Sequence, residues 1–287
     1  MNIALLLSII LLVISPHYSQ TENIDFNSPA NISLFADHLY CDKDYLRAIF
    51  EYNRLLETQI NDTLKFKIAL SYSYMNDYLS ATKNFDLITP ASPFFSQSKL
   101  EWLKAKFLLR DFPEFQLAYQ NKFVSKNNKY QNEGQKLFNF SYLFTDEPLP
   151  SKEEFLLPFE INEKEKVSDF YSWKKDPPYK SSTVAGIMSA IIPGSGKIYV
   201  GEVSDGIVAF LVTGIFVFLA YDNFQANHTT RAWIFTGAGA LFYGGNIYGS
   251  VAAAQVHNAK ITFEFNESLN IYLMKNNYYA PVYDFCK

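Results

Sequence analysis

The chain has 287 residues, with 25 Lys and Arg against 29 Asp and Glu, a formal net charge of -4. That balance provides no broad basic surface and argues against nucleic-acid binding. A hydrophobic share of 48%, with 17% aromatic, is enough for one large domain or two smaller ones with aromatic-rich cores.

The chain opens with "MNIALLLSIILLVISPHYSQ". The apolar run from Ile3 to Ile14 is too short for a helix to cross a bilayer about 30 Å thick. Followed by Pro16 and small or polar residues, it reads as a secretory signal peptide, residues 1–19, cut before Gln20. A retained short anchor is the alternative, since no Lys or Arg precedes the run. Export would place the rest of the chain in an oxidising compartment. Cys41 and Cys286 sit in no CxxC and beside no paired histidine, and their separation favours two unrelated reduced thiols over a disulfide.

Three stretches then repeat one pattern: "FADHLYCDKDYLRAIFEYNRLL", "IALSYSYMNDYLSATKNFDLI" and "WLKAKFLLRDFPEFQLAYQNKF". Each has a helical period, a polar turn carrying Asp, an aromatic residue and a second helical period. The aromatics Tyr45, Tyr78 and Phe112 are spaced 33 and 34 residues apart. This resembles the tetratricopeptide repeat, a helix-turn-helix unit. The resemblance implies close helix packing at Ala36 with Ala48 and at Ala69 with Ala81, with Tyr72 and Phe85 also on repeat positions. The third unit departs from it, with Leu103 and Phe115 where small residues belong. Stacked pairs would form a curved solenoid whose concave face takes a peptide or partner helix; a plain helical bundle is the alternative. Helices in "GQKLFNFSYLF" and "SKEEFLLPFEINEKEKVSDFYSWK" complete a domain over residues 31–173. The tract "EINEKEK" reads as a solvated helix face.

"KKDPPYKSS", residues 174–182, reads as a linker, and the composition then changes. Over residues 183–255 the charged residues are Lys197, Glu202, Asp205, Asp222 and Arg231. "GIVAFLVTGIFVFLAY" and "AWIFTGAGALFYGGNIYGSVAAA" carry no charge over 16 and 23 residues and read as two spans. Tyr221, Trp233 and Tyr248 suit the interfaces. Gly245 and Gly249 form a GxxxG step, the kind of small face on which membrane helices associate. Asn246 is expected to face protein and to make an interhelical hydrogen bond.

Before the first span, "STVAGIMSAIIPGSGKIYVG" reads as an interfacial or re-entrant segment. Pro193, Gly194, Gly196, Tyr199 and Gly201, followed by Gly206 and two apolar blocks, resemble a bacterial two-transmembrane-helix family. Its signature is Pro-Gly-x-Gly-x-x-Tyr-x-Gly, and the resemblance implies architecture without an activity. Residues 256–287, beginning "VHNAKITFEFNESLNIYLMKN", suit a helix continuing out of the membrane, with Ile261, Phe265, Leu269 and Tyr272 on one face.

No chemistry stands out. "GSGK" lacks the frame of a phosphate-binding loop: Ile191 replaces the first glycine, and Ile198 the Ser or Thr after lysine. His17, His38, His228 and His257 are isolated, GxSxG is absent, and carboxylate pairs such as Glu153–Glu154 and Glu202–Asp205 read as solvated.

The sequence therefore predicts an all-α, non-enzymatic protein: a tetratricopeptide-like helical-repeat solenoid plus a C-terminal transmembrane helical hairpin. Its expected role is a membrane-anchored interaction scaffold of the envelope, exported, with the repeats in the periplasm of a Gram-negative bacterium. It would bind a protein partner and membrane lipid, with no cofactor, metal, nucleotide or nucleic acid. The alternatives are a small subunit of a membrane complex acting through its hairpin, and an undetected enzyme or transporter. An exported repeat domain puts Lys174, Lys175, Lys180 and Lys260 outside and only Arg231 inside, against the positive-inside tendency.

Overall fold

Turns of one construction punctuate the chain. Lys43, Asn76, Arg110, Asn227 and Asn277 each take a left-handed backbone, with φ between 57° and 65°. This conformation closes a helix by turning its last amides back onto free carbonyls, as Asp44 N to Leu39 O and Asp77 N to Tyr72 O do at 2.9 and 3.0 Å. In the first three turns the next residue is Asp44, Asp77 or Asp111. Their carboxylates accept from the backbone N–H of Arg47, Ser80 and Glu114, capping the following helix. The regular spacing of Asp in the sequence is thus a spacing of helix starts.

The computed structural model describes Asp25, residues 27–123 and residues 129–286; the signal-peptide reading, residues 1–19, lies outside them. Among the described residues all regular structure is helical. The α-helices are α1 (Pro29–Cys41), α2 (Tyr45–Thr58), α3 (Asp62–Tyr74), α4 (Tyr78–Phe85), α5 (Phe95–Leu108), α6 (Phe112–Ala118), α7 (Gln131–Leu143), α8 (Lys152–Leu156), α9 (Ile161–Lys175), α10 (Ser182–Ile191), α11 (Ser195–Tyr199), α12 (Val203–Gln225) and α13 (Thr229–Lys275). A π-helical turn, Tyr119–Phe123, comes directly after α6.

The chain divides into two compact units, one of residues 1–98 with 282–287 and the other of residues 99–281. The polar stretch 174–182, expected to be an interdomain linker, lies inside the second unit.

In the first unit α1 packs on α2, α2 on α3 and α3 on α4. Ala36, Ala48, Ala69 and Ala81 are fully buried. Tyr45 stacks on Tyr74, Tyr72 is half-buried, the Tyr78 hydroxyl donates to Asn76, and Phe85 is buried beside Phe66. The chain end joins this unit: Phe285 lies against Tyr40 and Phe66, and Tyr283 against Phe66 and Phe94. Cys41 and Cys286 are disulfide-bonded, Cα atoms 5.5 Å apart, which corrects the expectation of two reduced thiols. Sequence separation misled because the tail returns to α1.

In the second unit the C-terminal half of α13 is the spine of an aromatic core. Leu269 and Leu273 are fully buried, Phe265 meets Phe170 and Trp173, and Tyr272 meets Phe140 and Phe170. The expected helix after the apolar blocks is therefore present, as a continuation of α13. Leu103 and Phe115 fill this unit's interior. The tract "EINEKEK" is not wholly solvated. Glu163 accepts from Lys136 Nζ and from the Tyr278 hydroxyl, each at 2.6 Å, because α9 turns that position inward.

Candidate functional site

The distinctive constellation lies where α10, α11, α12 and α13 meet, and it is built on backbone proximity. Gly194 has φ 85°, and a Cβ there would overlap the Gly206 carbonyl. A Cβ on Gly206 would stand 2.6 Å from the Gly194 oxygen, and one on Gly196 would run into Ala185 O and Ser189 Oγ. These glycines let α11 pass between α10 and the start of α12 at backbone distance. Gly201, with φ 98°, has open space around it and serves only the turn into α12. Pro193 is half-buried just before that crossing. Tyr199 closes the edge, its hydroxyl accepting from Ser181 N while Lys180 Nζ lies 4.9 Å from its ring centre.

Buried polar groups hold the crossing. Gly196 N donates to Ser189 Oγ at 2.9 Å, Ser189 and Ser250 hydroxyls meet at 2.7 Å, and Ser250 Oγ donates to Asn246 O. Both hydroxyls are fully buried. Tyr243 OH donates to Ala190 O, tying α13 further to α10, and the side chain of Asn258 both donates to Lys180 O and accepts from Lys180 N, holding the segment just before α10.

Asn246 itself is buried, as expected, but the expected interhelical hydrogen bond is not made. Neither its amide oxygen nor its nitrogen has a partner. It faces a cleft of about 500 Å³ between α12 and α13, walled by Val208, Ala209, Val212, Leu241 and Phe242. Lys197 and Asp205 also line it. Of the GxxxG pair, Gly245 opens onto this cleft and Gly249 lies beneath the Lys197 side chain. The close approach of α12 to α13 falls instead at Gly239, where a Cβ would sit 3.2 Å from Phe216 Cβ.

Other clefts are present. One, of about 680 Å³, lies among Phe144, Asp146, Tyr171, Trp173, Tyr179 and Phe265 in the second unit. One of about 620 Å³ lies on α1 and α2 in the first, bounded by Leu34, Phe35, Asn31, Glu51 and Arg54.

Sequence reasoning missed the buried ion pair of Glu101 with Lys104, whose Nζ also donates to Ala280 O at 2.6 Å. It also missed Asp37, which accepts from Lys67 and Tyr52 at 2.6 Å each. Burial, then that hydrogen bond, pushes the Tyr52 hydroxyl well above its ordinary range. Only a helix-face assignment could have singled out these charges. Among the described residues no three His, Cys, Asp or Glu converge.

Comparison with protein-family models, with characterised proteins and with solved structures finds no match.

Proposed function

We propose that the chain is a membrane-anchored interaction protein of the bacterial envelope, its helical units binding a protein partner and its apolar hairpin holding it in the bilayer. The carrying observation is α12: 23 residues, mean hydropathy 2.2, with only 17% of its most apolar window buried. Ile207, Phe210, Leu211, Ile215 and Phe218 are all about half exposed or more. An apolar surface of that extent, on a helix of spanning length, suits lipid and not water.

The disulfide supports a second crossing. Covalently joined, Cys41 and Cys286 lie on one side of any membrane. If α12 crosses between them, the chain crosses back, and residues 232–254 of α13, which carry no charge, are the segment for it. Ile234, Leu241 and Tyr248 expose apolar surface there. A disulfide also suits an exported domain.

The cleft on α1 and α2 is the partner surface in this reading, because the chain's own tail already covers Tyr40, Phe66 and Phe94. A second reading, a subunit that docks onto other spans through its hairpin, draws on Gly237, Gly244 and Gly245, where an added Cβ would meet open space.

Alkaline carbonate extraction tests the anchor: the protein should stay with the membrane pellet, and release into the supernatant overturns the reading. Affinity capture from membranes separates the two modes. Phe35→Asp should abolish partner recovery if the helical cleft binds. If only Gly245→Leu and Gly249→Leu abolish it, the hairpin is the working part.

A further inference from the structure

We propose that the cleft between α12 and α13 is a lipid site that selects a zwitterionic glycerophospholipid, one bearing both a phosphate and an ammonium group. The inference rests on the hairpin being in the bilayer and goes beyond anchoring.

The cleft is graded in polarity. Lys197 and Asp205 stand on its walls with opposite charges, and among the described residues neither side chain makes an ion pair or hydrogen bond with the other or with any group. Two unlike charges left apart in a shared cleft match a ligand that carries both signs. The Lys197 side chain passes over Gly249, its Cε 3.4 Å from where a Cβ would be. Asn246 lies three residues before Gly249 on α13, about 4.5 Å along the axis. Its unpartnered amide therefore faces the cleft one turn from the lysine, with a free donor and a free acceptor. An unsatisfied buried amide is costly in an apolar setting, and an ester linkage one step below a phosphate would satisfy its donor. Beyond it the walls are Val208, Ala209, Val212, Leu241 and Phe242, a surface for acyl chain. Thr213 adds no free donor, since its hydroxyl donates to Ala209 O.

Charge order thus follows lipid order: head group at Lys197 and Asp205, ester at Asn246, hydrocarbon along the two helices. A purely anionic lipid would leave Asp205 facing a like charge, so the acidic residue supplies the selection.

The test uses the full chain reconstituted in vesicles of equal phosphatidylethanolamine and phosphatidylglycerol, then re-extracted in mild detergent, with retained lipid counted by native mass spectrometry. Phosphatidylethanolamine should be enriched about tenfold over phosphatidylglycerol, the scale of one charge-assisted contact. Asp205→Asn should remove that preference, and Lys197→Gln should lower retention of both. Asn246→Leu should lower retention too. Ala209→Leu narrows the cleft from the α12 wall while keeping every polar group, and should do the same if Asn246→Leu fails to fold. Retained lipid at the bulk ratio, or equal retention by all variants, overturns the proposal. So does a second chain cross-linked across Gly245→Cys in place of lipid. Protein that resists carbonate extraction yet shows no selection sinks this inference and leaves the anchor standing; protein released by carbonate sinks the anchor first.

Discussion

Gly194 and Gly206 meet backbone to backbone. Each carbonyl occupies the space where the other residue's Cβ would be, and Gly194 is also held at φ 85°. Any side chain at either position must push α11 away from the start of α12.

Gly194→Ala is therefore expected to cost about 3 kcal/mol, from left-handed strain together with overpacking. Gly201→Ala meets only the strain, since nothing lies within 4 Å of its Cβ position, and should cost about 1 kcal/mol. Thermal unfolding of the two variants in detergent checks the order. Equal costs would show that the close approach contributes nothing.

Ser189 accepts the buried Gly196 N–H, so Ser189→Ala leaves a donor unpaired and should lose about 1–3 kcal/mol. Ser250→Ala removes a hydroxyl but leaves that acceptor in place, and should cost less. The same unfolding measurement ranks them, and a larger loss from Ser250→Ala would refute this account of the crossing.

The disulfide closes a loop across a sequence separation of 245. A loop of that length predicts a stabilisation of about 5 kcal/mol at the upper end of what disulfides give. Cys286→Ser should lower the stability of the first unit and free the tail carrying Tyr283 and Phe285. Limited proteolysis should then cut near the chain end, where the oxidised protein resists. Equal resistance in both forms would mean that the aromatic contacts alone hold the tail.

Burial raises the Glu163 carboxyl, but hydrogen bonds from Lys136, Tyr278 and the Glu160 backbone outweigh it and hold the group below its ordinary value of 4.5. A carboxyl lowered by folding stabilises the fold above its unfolded value, and that contribution is lost as pH falls through the folded value. Stability should therefore fall as the pH drops below about 4.5, and Glu163→Gln should flatten that part of the profile. At neutral pH the variant should lose about 2 kcal/mol, the scale of a hydrogen bond to a charged group. Urea unfolding at pH 7 and pH 4 measures both, and an unchanged profile in the variant would place the acid sensitivity elsewhere.

Much of this arrangement is legible in the sequence alone. Asp44, Asp77 and Asp111 mark helix starts because a short carboxylate after a polar turn is placed to cap the next helix. The absence of charge over residues 206–221, beside glycines at 194, 196, 201 and 206, already indicates an apolar helix entered through a tight turn. Those features are local: each depends on residues within a turn or two of one another, so composition and spacing carry them.

What the tertiary structure decided is every relation between distant segments. Cys41 meets Cys286 because the tail folds back onto α1, and no local pattern encodes a return across most of the chain. Glu163 looks like its solvated neighbours until α9 packs and brings Lys136 and Tyr278 to it. Asn246 was expected to find a partner on a facing helix. Instead the glycines around it leave a cleft, and its amide stays open to whatever occupies that space. Helix periodicity says which residues share a face; only packing says what, if anything, that face meets.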